Sequence, residues 1–268
     1  MIENRSILNA HPYHLVDQSP WPIVTSFSLL ILTGGSVMSF QGVTFGVYVL
    51  IIGLLCTVLS MSFWFRDVIT EGSYLGCHTV EVSKGISIGV ALFILSEVMF
   101  FVSIFWAFFH SSLSPTVDIG SVWPPYGIEA LNPFELPLLN TIILLSSGAT
   151  VTYAHHSLIQ GNRKGTIVGL TYTVVLAVIF TLLQGIEYYN CSFTITDSVF
   201  GSCFFFGTGF HGIHVIIGSL WLIVSFWRII AYQLTDNHHV GFESAILYWH
   251  FVDVVWLFLF VSIYWWGS

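Results

Sequence analysis

The sequence predicts an all-α polytopic membrane protein with seven transmembrane helices. Hydrophobic residues make up 55% of the 268-residue chain and charged residues only 7%, whereas soluble domains carry about 25% charged residues. Seven apolar stretches reach the ~20 residues that a helix needs to cross a bilayer. All six Lys and Arg residues fall on one side of the resulting topology. We therefore expect one membrane domain over residues 1–268 and no soluble domain.

The first three spans each have a clear boundary. Span 1 begins at Pro20-Trp21-Pro22, where an indole suits the membrane interface. Span 2 ends where apolar sequence changes to Phe63-Trp64-Phe65-Arg66-Asp67, and span 3 begins after Lys84. The predicted limits of all seven spans are 20–39, 43–65, 85–110, 135–156, 165–188, 198–227 and 240–265.

The last four spans carry capping and anchoring signals. Asn132-Pro133-Phe134-Glu135 offers span 4 a cap residue, a proline at the first helical position and a carboxylate in the first turn. Span 5 begins after Arg163-Lys164, and Thr196-Asp197-Ser198 is expected to cap span 6. Span 7 ends at Trp265-Trp266, which suits the second interface.

The basic residues predict the orientation. They lie before span 1 and in the connections 2–3, 4–5 and 6–7, while the other connections and the C-terminus have none: Arg5, Arg66, Lys84, Arg163, Lys164 and Arg228. Lys and Arg accumulate on the side of a membrane that is not translocated. The N-terminus is therefore expected on the basic side and the C-terminus on the opposite side.

The same composition argues against several other functions. No basic patch suits a nucleic acid, and the four cysteines form no CxxC pair that would indicate a zinc or iron–sulfur site. The first 21 residues resemble neither a secretory signal nor an Arg-rich import leader.

Glu97 is the most informative single residue. It lies thirteen residues after Lys84, which is about 20 Å into span 3 at 1.5 Å per residue. An ionised carboxylate at that depth costs several kcal/mol unless it is paired or hydrated. Two interpretations stay open: a proton-active or lipid-facing carboxyl, and a neutral acid that is hydrogen-bonded to a neighbouring helix.

Two pairs of polar residues share helix faces. His250 and Asp253 are three residues apart on span 7, as are His211 and His214 on span 6. Two faces that carry histidine could together hold a metal or a haem. Because no further ligand completes a coordination motif, hydrogen bonding between helices is the favoured use.

The end of span 2 suggests a phospholipid site. Its aromatic rings adjoin Arg66 at head-group depth, and Glu71 and His78 follow in the same connection. Rings can line acyl chains while a cation meets the phosphate. Ordinary interfacial anchoring explains the same residues and is the interpretation that composition alone favours.

A series of motifs resembles subunit III of cytochrome c oxidase, the mitochondrial haem–copper oxidase. The motifs occur in order over nearly the whole chain: His11-Pro-Tyr-His14, Ser19-Pro-Trp-Pro22, Trp64-Phe-Arg-Asp67, Leu95-Ser-Glu-Val98, Phe105-Trp-Ala-Phe108, Trp123-Pro-Pro125, Glu135-Leu-Pro-Leu-Leu-Asn-Thr141, Leu145-Ser-Ser-Gly-Ala-Thr150, Gly209-Phe-His-Gly-Ile-His214, Tyr248-Trp-His-Phe-Val-Asp-Val-Val-Trp256 and Tyr264-Trp-Trp-Gly267.

The resemblance implies an accessory subunit without its own redox centre. It implies two bundles, at 20–65 and 85–265, separated by a V-shaped cleft that holds phospholipids. It also implies packing on subunit I, with subunit II and small accessory subunits as further partners and with haem and copper in the partner subunits. The expected role is to stabilise the oxidase and support proton uptake, as a non-catalytic subunit of the mitochondrial inner membrane whose basic side faces the matrix.

The resemblance also assigns individual positions. Matching residue by residue implies lipid-linked roles for five positions and the family's intramembrane carboxyl at Glu97; the five are Phe65, Arg66, Glu71, His78 and Arg228. Cys77 departs from the histidine common in animal relatives, which argues against a function needing two adjacent imidazoles there.

Two alternatives to the accessory subunit are kept. One is an autonomous transporter that uses Glu97, His250 and Asp253 as a proton relay. The other is a haem- or metal-binding redox subunit that uses His211, His214 and His250. The ordered motifs favour the accessory subunit over both.

Overall fold

The computed structural model describes residues 11–267 and is helical throughout its regular structure. Seven helices are long and apolar enough to cross a membrane, which confirms the predicted fold class. They are α1 (Trp21–Phe40), α2 (Gly46–Ser73), α3 (Val80–Leu113), α4 (Leu136–Ile159), α5 (Arg163–Asn190), α6 (Ser198–Ile230) and α7 (Val240–Leu259), which continues as a π-helix (Phe260–Trp266). A single 3₁₀ turn, Val117–Ile119, lies in the loop after α3.

The helices extend beyond the apolar stretches that predicted them. Helix α2 ends at Ser73 rather than at residue 65, and α3 begins at Val80 rather than at residue 85. An α-helix satisfies its own backbone hydrogen bonds, so it can continue from lipid into the head-group region. Hydropathy marks the edge of the hydrocarbon core and not the end of the helix.

This extension corrects the predicted location of the basic residues. Every Lys and Arg within residues 11–267 lies on a helix rather than in a connection: Arg66 on α2, Lys84 on α3, Arg163 and Lys164 on α5, and Arg228 on α6. All of them remain toward the helix ends that adjoin the 2–3, 4–5 and 6–7 connections. Arg5 lies outside the described residues.

Two of the predicted helix starts were wrong in detail. Helix α4 begins at Leu136 with Pro137 in its first turn, whereas Asn132 forms a turn by accepting the Phe134 N–H. Asp197 precedes α6 but makes no side-chain capping bond to it, whereas Ser198 of the predicted triplet does accept a hydrogen bond at the helix start, from the Phe200 N–H at 3.2 Å. The Asp197 carboxylate instead accepts the Thr194 N–H at 2.7 Å. The Asn132 and Asp197 side chains thus bond backbone N–H groups of local turns instead of N–H groups of the helices that follow.

The chain divides into two compact units at Ile86 and Ser87, which are described separately. In the first unit, α1 and α2 form a close antiparallel hairpin. A Cβ at Gly35 would lie 2.5 Å from the backbone nitrogen of Leu50, whereas one at Gly34 would meet nothing within 4 Å. The Thr25 hydroxyl donates to the Ser60 hydroxyl across the same interface at 3.1 Å. Small and hydroxyl side chains thus join the two helices, as expected inside a membrane.

In the second unit, α7 is the most buried of the helices. Its Trp249 and Trp256 indoles are almost completely buried. Each donates a 3.0 Å hydrogen bond to a hydroxyl of α4, Trp249 to Ser147 and Trp256 to Thr141. These two bonds fix the register of α7 on α4 and position the polar residues between them.

Candidate functional site

The end of α2 presents Arg66 beside aromatic rings. The Arg66 side chain is 60% exposed, and its guanidinium carbon lies 5.1 Å from the centroid of the Phe63 ring. Phe65 is also exposed. One Asp67 oxygen accepts both the Nε and Nη2 hydrogens of Arg66, and the other accepts the Trp21 indole N–H. Asp67 thereby ties the Arg66 guanidinium to α1.

Glu71 and His78 lie at the same end of the first unit and meet a histidine that the sequence did not single out as a site residue. His14 Nε2 lies 3.5 Å from Glu71 Oε2, and the His14 and His78 rings have centroids 6.5 Å apart. The Thr79 hydroxyl donates to the Pro12 carbonyl at 2.6 Å. The segment before α1 therefore lies against the end of α2. The motif His11-Pro-Tyr-His14 was the sequence feature that could have indicated His14 as a site residue.

Arg228, the fifth lipid-linked position, belongs to the second unit. It lies in the last turn of α6, and its Nη1 atom would be 2.9 Å from a Cβ at Gly241 near the start of α7. The lack of a side chain at Gly241 gives the guanidinium room beside α7.

Glu97 lies near the middle of α3 and bonds to α6. Its Oε2 is 2.8 Å from His214 Nε2, and the other imidazole nitrogen, Nδ1, is 2.6 Å from the Phe210 carbonyl. A carbonyl oxygen can only accept, so Nδ1 carries hydrogen. One proton is then shared along the Oε2–Nε2 bond, either as neutral acid and imidazole or as carboxylate and imidazolium. In both forms the pair has no net charge, which suits its depth in the membrane.

His211 and His214 share a face of α6 but bond to different helices. His211 Nε2 donates to the Val252 carbonyl of α7 at 3.2 Å, and the imidazole is almost fully buried. The Trp256 indole lies beside it, with ring centroids 5.1 Å apart. His211 therefore links α6 to α7, whereas His214 links α6 to α3.

His250 and Asp253 meet each other and α4. His250 Nδ1 lies 3.5 Å from Asp253 Oδ2. Its Nε2 lies 3.3 Å from the Thr152 hydroxyl, which itself donates to the Gly148 carbonyl. Asp253 is buried, and a Cβ at residue 148 would collide with its Oδ2. Only glycine at 148 leaves space for this carboxyl group.

The histidines do not converge on one point. His214, His211 and His250 bond to α3, α7 and α4 respectively. Within residues 11–267, no three His, Cys, Asp or Glu side chains are grouped so that they could hold a metal ion. The geometry therefore gives no support to a redox centre built from these imidazoles.

Comparison with known proteins decides the family. Residues 11–268 match the family described as cytochrome c oxidase subunit III. The chain belongs to the cytochrome c oxidase subunit III family. It is 64% identical over 270 residues to cytochrome c oxidase subunit 3 of Mycosarcoma maydis, covering 99% of this chain and 98% of that protein. It is also 63% identical over 264 residues to the subunit 3 of Pyricularia grisea, with 98% of each chain covered.

Membership of the subunit III family establishes the setting of these residues. The chain is a core subunit of an oxidoreductase complex of the haem–copper oxidase type. It is a multi-pass protein of the mitochondrial inner membrane, where it assembles with other oxidase subunits.

One buried acid of this subunit III chain was missed by the sequence reasoning. Glu187 lies within predicted span 5 and is only 2% exposed. Its carboxyl oxygen Oε1 accepts from the Tyr264 hydroxyl at 2.6 Å and from the Gln184 amide at 3.0 Å. The available signal was the same as for Glu97, an acid inside an apolar span.

Proposed function

We propose that this chain is the accessory, cofactor-free subunit that packs on subunit I of the proton-pumping oxidase. Subunit II and small accessory subunits are its further partners, and haem and copper belong to the partner subunits. The chain stabilises the complex, binds phospholipid and supports proton uptake during oxygen reduction. The match over residues 11–268 is the observation that carries this proposal.

The lipid-binding part of the proposal is supported by the geometry of Arg66. A guanidinium donates strong paired hydrogen bonds to a phosphate, and this one is exposed at the membrane-surface end of α2. The exposed rings of Phe63 and Phe65 are suited to the adjoining acyl chains. Glu71 and His78 are the polar neighbours on the same unit, and Arg228 is a separate contact on the second unit.

The orientation is also part of the proposal. The described Lys and Arg residues lie toward the ends of α2, α3, α5 and α6 that adjoin the connections 2–3, 4–5 and 6–7. We place these ends in the matrix, with the N-terminus, and the C-terminus in the intermembrane space. The lipid-filled cleft between bundles 20–65 and 85–265, which the family resemblance implies, stays a prediction.

The proton-uptake role is centred on Glu97. A carboxyl and an imidazole that share one proton can pass it between them while the pair stays neutral. An autonomous relay would also have to connect Glu97 with His250 and Asp253. The observed bonds run to α6 from Glu97 and to α4 from His250, so they favour a supporting role over an independent transporter.

Gentle isolation of the complex from mitochondrial membranes tests the proposal. Mass spectrometry should identify oxidase subunits I and II and phospholipid with this chain, and metal analysis should assign all haem and copper to the partners. A chain that purifies alone and conducts ions after reconstitution would support the transporter instead. A chain that holds its own haem or metal would support the redox subunit.

A further inference from the structure

A second polar site lies buried in the second unit, away from Glu97. It consists of Asn140 on α4, Gln184 and Glu187 on α5, and Tyr264 on the π-helix. Asn140 Nδ2 donates to Gln184 Oε1 at 3.5 Å, and Gln184 Nε2 donates to Glu187 Oε1 at 3.0 Å and to the Tyr264 hydroxyl at 3.4 Å. The Tyr264 hydroxyl in turn donates to Glu187 Oε1 at 2.6 Å. These bonds join three elements in one network.

The network lies near the membrane side that has no basic residues. Asn140 follows the start of α4 by about one turn, and Glu187 and Tyr264 precede the ends of α5 and the π-helix by one turn or less. The Lys and Arg residues of the described chain occupy the opposite helix ends. Within residues 11–267, no Lys or Arg is therefore placed to neutralise Glu187, which is 2% exposed.

The hydrogen bonds of the network leave two acceptors over. Glu187 Oε2 and Asn140 Oδ1 are both buried and have no partner within the described residues. Exchanging the oxygen and nitrogen positions of the Asn140 amide would not give its oxygen a donor. The Asn140 oxygen would then face Gln184 Oε1, which also only accepts. A buried acceptor without a donor costs free energy, and a buried carboxylate without a cation costs more. A hydrogen on the carboxyl group would remove the buried charge and make Oε2 a donor instead of an acceptor without a donor.

We infer that Glu187 is a proton-holding site: its Oε2 carries a hydrogen, and the acceptor we assign to it is Asn140 Oδ1, the other unpartnered oxygen of the network. The carboxyl group is then a neutral acid that donates through Oε2 and accepts through Oε1. A bound metal cation would satisfy the same two oxygens, but such ions take about six oxygen ligands and the network has only two to spare. A proton on Glu187 accounts for the two unpartnered oxygens without any further ligand, whereas a metal ion would need several.

This assignment makes the acid replaceable by its amide. A glutamine at 187 can accept from Tyr264 and Gln184 through its oxygen and donate to Asn140 through its nitrogen, as the neutral acid does. A leucine at 187 has a comparable size but leaves the Tyr264 hydroxyl and the Gln184 amide without their acceptor. If Glu187 were ionised, neither glutamine nor leucine would be a good replacement for it.

The experiment uses the assembled oxidase complex with Glu187→Gln, Glu187→Leu and the control Glu129→Gln, which removes an exposed carboxyl on the same side. Infrared difference spectra report the C=O band of protonated carboxyl groups. This band should lose one component in Glu187→Gln and be unchanged in Glu129→Gln. The half-life of the complex in detergent should stay near the wild-type value in Glu187→Gln and fall about tenfold in Glu187→Leu.

The two readouts separate the proton from its alternatives. An unchanged protonated-carboxyl band in Glu187→Gln, or a half-life as short as in Glu187→Leu, would overturn the inference. So would a wild-type half-life that depends on whether sodium, potassium or only a bulky organic cation is present, since that result would indicate a bound ion. Should Glu187→Leu fail to assemble, the band lost in Glu187→Gln still decides the question.

Discussion

Glu97 on α3 and His214 on α6 share a 2.8 Å hydrogen bond between Oε2 and Nε2 near the middle of the membrane-spanning region. Because His214 Nδ1 bonds to the Phe210 carbonyl, this bond holds a single proton and the pair has no net charge. The bond also connects two helices of the second unit. This one contact therefore joins α3 to α6, and the proposed role of Glu97 in proton uptake depends on it.

Glu97→Gln should leave oxygen reduction within about twofold of the wild-type rate. The amide nitrogen of glutamine can donate to His214 Nε2, so the bond between α3 and α6 persists, and the redox centres belong to other subunits. Oxygen consumption by the isolated complex measures the effect. Complete loss of activity in a normally assembled complex would contradict the proposed accessory role.

His214→Leu is the informative partner of that variant. It removes the hydrogen-bond partner of Glu97 and leaves a carboxyl group unpaired in the membrane. We expect activity to decay faster during turnover than in Glu97→Gln, with a comparable initial rate. Equal decay in both variants would mean that the hydrogen bond itself is unimportant for the working lifetime.

Arg66→Ala should lower the amount of phospholipid retained by the complex about fivefold, because one cation contributes about 1 kcal/mol to head-group binding. Lys84→Ala is the matched control, since Lys84 is equally exposed on the first unit and, like Arg66, pairs with a carboxylate, Glu81 at 3.0 Å, but it follows Ser83 and precedes Gly85 instead of lying in an aromatic run. Lipid mass spectrometry of the washed complex provides the measurement. Equal retention in both variants would remove Arg66 from the lipid site.

Arg228→Ala tests the second unit independently. Its loss should also reduce retained phospholipid and shorten the active lifetime of the oxidase. The control is Lys164→Ala, an exposed cation at a neighbouring helix end of the same unit. Unchanged lipid content and lifetime in both Arg66→Ala and Arg228→Ala would reject the proposed lipid role.

Gly35→Ala and Gly34→Ala form a matched pair in α1. A Cβ at Gly35 would meet the Leu50 backbone, which cannot move aside as a side chain can, whereas a Cβ at Gly34 enters open space. We expect Gly35→Ala to destabilise the hairpin by about 1–3 kcal/mol and Gly34→Ala to have little effect. Thermal inactivation of the isolated complex compares them. Equal losses would indicate that α1 and α2 do not pack this closely.

Cys191, just beyond the end of α5, should react slowly with alkylating reagents at neutral pH. Burial raises the pKa of its thiol, and only the thiolate is nucleophilic. A raised pKa reduces the thiolate fraction at a given pH, so labelling should keep increasing as the pH is raised beyond the ordinary thiol pKa of about 8.5. Peptide mass spectrometry after timed labelling measures this. Rapid labelling at neutral pH would show that the thiol is more accessible than the structure indicates.

The sequence by itself determined the number of spanning helices, their order and the shared side of the basic residues. These properties are local, because each span depends on the apolar content of its own ~20 residues. The ordered motifs likewise identified the family without knowledge of any contact. Helix ends were less predictable: α2 continues through Arg66 and Glu71 to Ser73, because a helix satisfies its own backbone whether lipid or water surrounds it.

Only the tertiary structure decided which polar groups meet. Spacing placed His211 and His214 on one face of α6, yet one bonds to α7 and the other to Glu97 on α3. Glu187 needed Tyr264, which is 77 positions away in the sequence, to reveal its network. Hydropathy and spacing describe a helix on its own. Hydrogen bonds between helices depend on how neighbouring faces pack, and inside a membrane each buried polar group must find its partner there.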